Sequence, residues 1–230
     1  DVVVDLLSEM KGVDVSILEG DKQPLYRLKK AYENVKYRFV EDLDRVFHRT
    51  KYLNCLLKDA QGAVVGVWDT DVAITYGQIS DAVKVIRTGR AVMSFPYDGR
   101  FYTLSPKDSD LFVQDRSFER LDELMKTSHL AHGPHSVGGA FLVNRKVYLQ
   151  SGGENEHFYG WGPEDAERVK RMKILGLPVY RASGPLFHLY HPRKENSWYG
   201  SADIELKNRQ EFLTVCSMTR SELQKYIQTR

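Results

Sequence analysis

The sequence predicts an α/β fold, a doubly wound, Rossmann-like open sheet flanked by helices. Three observations lead there. From Asp1 to Phe95, stretches with the two-residue spacing of strands alternate with stretches of helical spacing. The run Ala63-Val64-Val65-Gly66-Val67-Trp68 reads as a fully buried strand, and it ends in Asp69-Thr70-Asp71, where open α/β sheets place their ligands. With 230 residues, 42% of them hydrophobic and 28% charged, the chain can bury a substantial core.

The elements follow in order. Val2, Val3, Leu6, Leu7 and Met10 share one face of a helix over 1–11, which Gly12 ends. Val13 to Leu18 alternates like a strand, and a helix leading into such a strand implies another strand upstream of Asp1. Tyr37-Arg38-Phe39-Val40 is a second short strand. Tyr52, Leu53, Leu56 and Leu57 mark a helix between Arg49 and Ala60 that feeds the aspartate strand. Ile79, Ala82, Val83 and Ile86 mark the next helix, stopped by Gly89. Ala91 to Phe95 returns as a strand, and Phe101 to Leu104 is expected to pair with it as a hairpin. Residues 105–135 are polar, with one helix from Phe118 to Met125.

The second half carries more chemistry. Val137 to Val143 reads as a strand whose Gly138-Gly139 implies close backbone approach. Asn144 caps a short helix that Ser151-Gly152-Gly153 terminates. Next comes Phe158-Tyr159-Gly160-Trp161-Gly162-Pro163-Glu164-Asp165: glycines on both sides free Trp161 to move as a lid, and Pro163 starts a helix through Leu175. Acidic residues suit any helix start through the dipole, but beside aromatic rings a carboxylate can also act as general base toward a sugar hydroxyl. Pro178 to Arg181 and Leu186 to His191 are the last strands. His188 and His191 lie on opposite faces of a regular strand, so sharing a ligand requires the strand to end or turn between them. Pro192 to Gly200 reads as a polar, flexible segment bearing Trp198 and Tyr199, before two closing helices.

Composition removes some functions. The balance of 33 basic against 31 acidic side chains leaves +2, too little to hold nucleic acid. No apolar run reaches the roughly 18 residues of a membrane span, and no signal-peptide pattern opens the chain. Cys55 and Cys216 sit in apolar helical patterns and read as reduced residues, which fits a cytoplasmic protein. On their own, Asp69 and Asp71 suit a hard divalent cation, a nucleotide ribose, or merely a capped turn. With His188 and His191 they offer the mixed oxygen and nitrogen donors acceptable to Mn²⁺.

Phe47-His48-Arg49-Thr50-Lys51-Tyr52-Leu53-Asn54, Trp68-Asp69-Thr70-Asp71, Gly138-Gly139, Gly160-Trp161-Gly162-Pro163-Glu164-Asp165 and His188 to His191 occur in an order and spacing that resembles the β-1,4-galactosyltransferase family. More broadly the chain is similar to metal-dependent GT-A glycosyltransferases, bacterial polysaccharide enzymes included. The resemblance covers roughly residues 13 to 200. It implies a nucleotide-sugar-binding half over 1–95 and an acceptor-binding, catalytic half over 96–230. It implies that Phe47, Arg49, Asp69, Gly139 and Trp161 serve the UDP-sugar donor, and that Asp71, His188 and His191 hold Mn²⁺ or another divalent cation. Asp165 would be the catalytic base toward a saccharide or glycoconjugate acceptor, with Glu164 orienting hydroxyls beside it.

Departures from the family pattern shape the expectation. Ala166 replaces a further acidic residue, the arginine-rich segment of the first strand is not visible, and His188 stands where animal enzymes use methionine. Ser136 replaces a bulky tyrosine, so N-acetylgalactosamine competes with galactose as the donor sugar. The expected activity is inverting transfer in the bacterial cytoplasm, with peripheral attachment to the inner membrane left open. The alternatives are a catalytically inactive sugar- or nucleotide-binding domain and, behind it, a metal-dependent hydrolase using Asp71, His188 and His191.

Overall fold

The computed structural model describes residues 1–125, 129–130, 135–192 and 198–230. Helix α1 (Val2–Ser8) buries Val3 and Leu6 and leads to β1 (Val15–Asp21), which pairs in parallel with β2 (Val35–Glu41). Helix α2 (Arg49–Asp59) buries Tyr52 and Leu57 and packs against β1. Then come β3 (Val64–Trp68), β4 (Val72–Ala73), α3 (Tyr76–Arg87) and β5 (Met93–Phe95). Thr75 caps α3 by accepting the Gln78 N–H, and Gly89 at φ 72° closes the helix in the left-handed region.

The remaining elements are β6 (Phe101–Thr103), α4 (Pro106–Asp115), α5 (Phe118–Leu124), β7 (His129–Leu130), β8 (Ala140–Asn144) and α6 (Arg145–Gln150). After them come α7 (Glu164–Leu175), β9 (Val179–Arg181), β10 (Leu186–His188), α8 (Ala202–Ser217) and α9 (Arg220–Thr229). The central sheet runs β3-β8-β5-β9, and a second runs β4-β10-β6-β7. One core, including Val67, Val72, Phe95, Phe141, Tyr148, Met172 and Leu186, joins the two sheets to α7.

The predicted elements are present with shifted ends, and four details differ from expectation. Strand alternation suggests parallel pairing, yet β8 lies antiparallel to both β3 and β5, and among the described residues only β5–β9, β6–β10 and β1–β2 are parallel. β3 is not fully buried: it forms an edge of its sheet, and Gly66 faces solvent. Phe101 to Thr103 makes no hairpin with β5, because Asp98 turns the chain away. Its carboxylate grips the Arg100 side chain at 2.7–3.1 Å, its N–H donates to Gly184 O at 2.9 Å, and β6 joins β10 instead. Helix α4 was missed although Ser105-Pro106 is a helix start, with the Ser105 hydroxyl accepting the Asp108 N–H. Cys55 and Cys216 are free thiols. Among the described residues, no helix is long and apolar enough to cross a membrane.

Candidate metal and carboxylate site

The turn after β3 is fixed before any ligand arrives. Trp68 Nε1 donates to Val72 O at 3.0 Å, and Val72 N donates to Asp69 O at 3.3 Å. Asp69 N donates to Gly139 O at 2.8 Å, which ties the aspartates to the glycine pair. Gly139 needs its residue type: it sits at φ 85°, and an added Cβ would approach Leu186 Cδ1 to 2.8 Å. That is a packing role, and it explains the close approach expected there.

Asp71 meets both histidines. β10 pairs with β4 so that His188 stands opposite Val72, and Leu189 N donates to Asp71 O at 2.8 Å. The regular strand ends at His188, which frees the chain to bring His191 back to the same carboxylate. His188 Nε2 lies 3.4 Å from Asp71 Oδ1, and His191 Nε2 lies 3.2 Å from Asp71 Oδ2. One ligand atom from each of the three falls within 4.8 Å of the others, a span a single ion can bridge. Asp71 Oδ1 is buried without a hydrogen bond. Burial and the Asp69 charge push the Asp71 carboxyl above its ordinary range, against the pull of His188 and His191.

A second centre lies at the start of α7. Arg49, the first residue of α2, reaches Asp69 Oδ1 at 2.7 Å, Asp165 Oδ1 at 3.4 Å and Glu164 Oε1 at 3.5 Å. One guanidinium thus connects the aspartate turn to the carboxylate pair. Gly138 packs over Asp165, whose Oδ2 would lie 2.9 Å from a Cβ there, and Tyr97 donates to Gly138 O at 2.6 Å. Glu164 is 7% exposed and its Oε2 is buried without a hydrogen bond. Burial, reinforced by the adjacent Asp165 charge, raises the Glu164 carboxyl to about 8. Asp165 goes the other way. Burial would raise it, but Arg168 and Arg49 outweigh that and hold it below the usual aspartate range. Adjacent carboxyls are thereby driven apart, one neutral and one charged.

The aromatic part is ordered around Trp161. Its ring stacks on Trp198 at 4.8 Å and meets Tyr199 edge-on at 4.7 Å. Sequence reasoning gave this loop freedom, but it missed the clamp from α8. The buried Asn208 amide donates to Tyr159 O and Trp161 O, both at 2.9 Å, and accepts the Tyr159 N–H at 3.2 Å. The expected covering segment after His191 lies partly outside the described residues, at 193–197. Phe47 is half-exposed and stacks on Tyr52 at 5.2 Å, at the rim of a cavity of about 420 Å³ that also includes Gly20, Asp42 and Arg45.

Known proteins match parts of this chain. Residues 123–195 match the family model described as the N-terminal domain of galactosyltransferase. Beta-1,4-galactosyltransferase 7 of Mus musculus is 31% identical over 90 residues, 39% of this chain and 22% of that protein, and the Homo sapiens protein gives the same figures. The Drosophila melanogaster protein is 40% identical over 50 residues, 22% of this chain and 16% of its own. A crystal structure of GalNAc-T7 with UDP, GalNAc and Mn²⁺ superposes with TM-score 0.50 at 16% identity, over 84% of this chain and 38% of that one. Over these stretches the chain is similar to galactosyltransferases, and its fold is of GT-A type. A mutant Drosophila galactosyltransferase 7 complexed with manganese, UDP-Gal and xylobiose gives 0.47 at 17% identity, over 85% and 79%. The galactosyltransferase-like match spans about a fifth of the mammalian relatives' length.

Of the residues expected to act together, Asp71, His188 and His191 converge on one point. Asp69, Arg49, Glu164 and Asp165 converge on another through Arg49. Phe47 lines a cavity with Gly20, Asp42 and Arg45.

Proposed function

We propose that the chain is a metal-dependent, inverting glycosyltransferase that moves galactose or N-acetylgalactosamine from a UDP-sugar to a saccharide hydroxyl. One observation carries the reading. Asp71, His188 and His191 gather their ligand atoms within 4.8 Å, and the Asp69–Arg49 bridge links that turn to Asp165. The donor set suits a divalent ion: one carboxylate, two imidazoles, and in Asp71 Oδ1 a buried oxygen lacking a hydrogen bond. A cation held there would supply positive charge against the diphosphate leaving group.

The chain's own residues do the rest. Asp165, ionised at neutral pH, accepts the proton of the acceptor hydroxyl at Oδ2 as that oxygen attacks the anomeric carbon. Attack from the face opposite the leaving group inverts the sugar's configuration. Glu164, neutral at the same pH, offers a hydrogen-bond donor beside it. Trp161, with Trp198 and Tyr199, gives a sugar ring an apolar face and shields the reacting centre from water. Ser136 is small and buried, with its N–H bonded to Gly99 O at 3.0 Å, and this supports keeping N-acetylgalactosamine beside galactose.

One observation favours a second reading. Two guanidiniums on Asp165 make it a weak base, as a domain that binds a donor without transferring it would tolerate. Turnover decides. With UDP-galactose or UDP-N-acetylgalactosamine, a saccharide panel and Mn²⁺, the expected result is EDTA-sensitive UDP release and a product of inverted anomeric configuration by NMR. Mn²⁺-dependent UDP binding without product would establish the binding domain instead. Phosphoester hydrolysis without nucleotide affinity would reject both.

A further inference from the structure

Arg168 is fully buried on α7, and four groups account for its position. Its Nη1 donates to Asp165 Oδ1 at 2.7 Å, and its Nη2 donates to Glu154 Oε2 at 2.6 Å. Its Nε is shared between Glu154 Oε1 and the Tyr148 hydroxyl, both at 3.1 Å, while that hydroxyl donates to Glu154 Oε1 at 2.6 Å. The guanidinium plane rests 4.1 Å from the Phe141 ring centroid. Glu154 is equally fixed, because Asn54 on α2 donates to its carbonyl at 3.0 Å and accepts its N–H at 2.8 Å.

A guanidinium buried this completely needs its counter-charges, and burying such a set is costly where an apolar pair would fill the space. A set like this is useful if it fixes something that must not move. Both arginine contacts to Asp165 fall on Oδ1, which leaves Oδ2 directed over Gly138. We infer that Arg168 is the positioning residue of this site: anchored by Glu154 and Tyr148, it holds Asp165 Oδ1 so that Oδ2 faces the acceptor hydroxyl. This rests on the transferase reading above and adds a component to it.

The groups facing Asp165 are Arg49 from α2, and Glu164 and Arg168 from its own helix. Behind them stand Asp69 on Arg49, Glu154 on Arg168, and the Tyr97 phenol on Gly138 O. Removing the Arg168 charge takes away one of two cations, so the Asp165 carboxyl must rise in pKa and the acid limb of kcat/KM must move to higher pH.

The test compares Arg168→Met with the double variant Arg168→Met/Glu154→Leu, which leaves no stranded buried charge. The double variant is expected to unfold cooperatively and to bind UDP with Mn²⁺ as the parent does. Its kcat should fall about tenfold or more, with the acid limb displaced upward. A double variant that folds and keeps the parent's kcat and pH profile overturns the inference. Carbon-13 NMR titration of the Asp165 carboxyl is read alongside on both proteins. If the parent binds UDP but transfers nothing, the transferase reading fails. The titration still decides the coupling: an upward move in the variant supports it, and an unchanged titration overturns it.

Discussion

The Asp71–His188–His191 cluster and the carboxylate pair lie within one chain of contacts, Asp71 beside Asp69, Asp69 on Arg49, Arg49 on Asp165, yet they are built on opposite principles. Around Asp71 the neighbours are two imidazoles at 3.2 and 3.4 Å, on a carboxyl whose Oδ1 is buried without a hydrogen bond. Its geometry comes from backbone pairing of β4 with β10, and its charge is left for something else to complete. Around Asp165 the charge is already balanced by Arg49 and Arg168, with a buried salt bridge behind them. The contrast separates a group built to receive a ligand from one built to hold still. An ion held at the first would stabilise it most strongly, whereas only substitution would disturb the second.

The sharpest break is Asp165→Asn. Transfer should drop about a thousandfold, because the amide cannot take the acceptor proton. The Mn²⁺-dependent affinity for UDP should survive, since no Asp165 contact reaches the metal cluster. Stability should fall by about 1–3 kcal/mol, as two guanidiniums lose their shared carboxylate oxygen. Titration calorimetry and urea unfolding read these separately. Retained transfer, or lost UDP affinity, would remove the base assignment.

Next in size is Asp71→Ala. Mn²⁺ should no longer raise the melting temperature of the UDP-bound protein, and kcat/KM should drop about a hundredfold. The metal-free protein should melt close to the parent, because the carboxyl it loses is a buried group pushed above its ordinary range. A variant that still responds to Mn²⁺ as the parent does would place the ion elsewhere.

Asn208→Ala tests the clamp on the aromatic loop. Three partly buried hydrogen bonds to Tyr159 and Trp161 vanish, worth about 2–3 kcal/mol together in urea unfolding. Transfer should fall about tenfold as Trp161 loses its fixed place, while the Mn²⁺ response is kept. Equal losses in both would mean that the loop supports the metal cluster as well.

How far the sequence reveals each region follows from how each is built. The meeting of Asp71 with His188 and His191 was legible: Asp69-Thr70-Asp71 ends a strand, and the condition that the chain turn between His188 and His191 is what β10 meets by stopping at His188. Glu164 and Asp165 were legible too, as acidic residues at a helix start after a Gly-Trp-Gly run. The wiring beneath them was not. Glu167, Arg168 and Arg171 lie in a helix whose Val169, Met172 and Leu175 mark only one face as apolar, so charges between them read as solvated. Here they are buried, with Arg171 donating to Glu167 at 2.9 Å and Arg168 reaching back to Glu154. The i,i+3 spacing of Asp165 and Arg168 was the available clue, but spacing shows which side chains can meet and not whether water is excluded around them. The hairpin misreading has a similar origin: β5 and β6 look like partners along the chain until Asp98 turns one sheet into two.

The smallest effect in acid, and the finest division between the two regions, belongs to Glu164→Gln. At pH 6 the Glu164 carboxyl is neutral, because burial and then the Asp165 charge raise it to about 8, against Arg49 and Arg168. Glutamine matches a neutral carboxyl in shape, so in acid, below the ordinary value of 4.5 where folded and unfolded chains both hold the proton, stability should change by about 0.5 kcal/mol or less. The unfolded chain ionises this group near its ordinary value of 4.5, well before the folded chain does. Between those values the unfolded state holds fewer protons, so the parent loses stability as pH rises, by a total on the order of a few kcal/mol once pH passes 8. The variant lacks that slope. Its stability relative to the parent should therefore climb from about pH 4.5 to about 8 and level off above, as urea unfolding at pH 4.5, 6 and 9 would show. Asp165 does not interfere in that window: its pKa is lowered, so its contribution is complete above the ordinary aspartate value and is lost only in acid. Parallel stability curves for parent and variant would mean that Glu164 is charged at neutral pH, and that the two carboxyls are not divided as their surroundings imply.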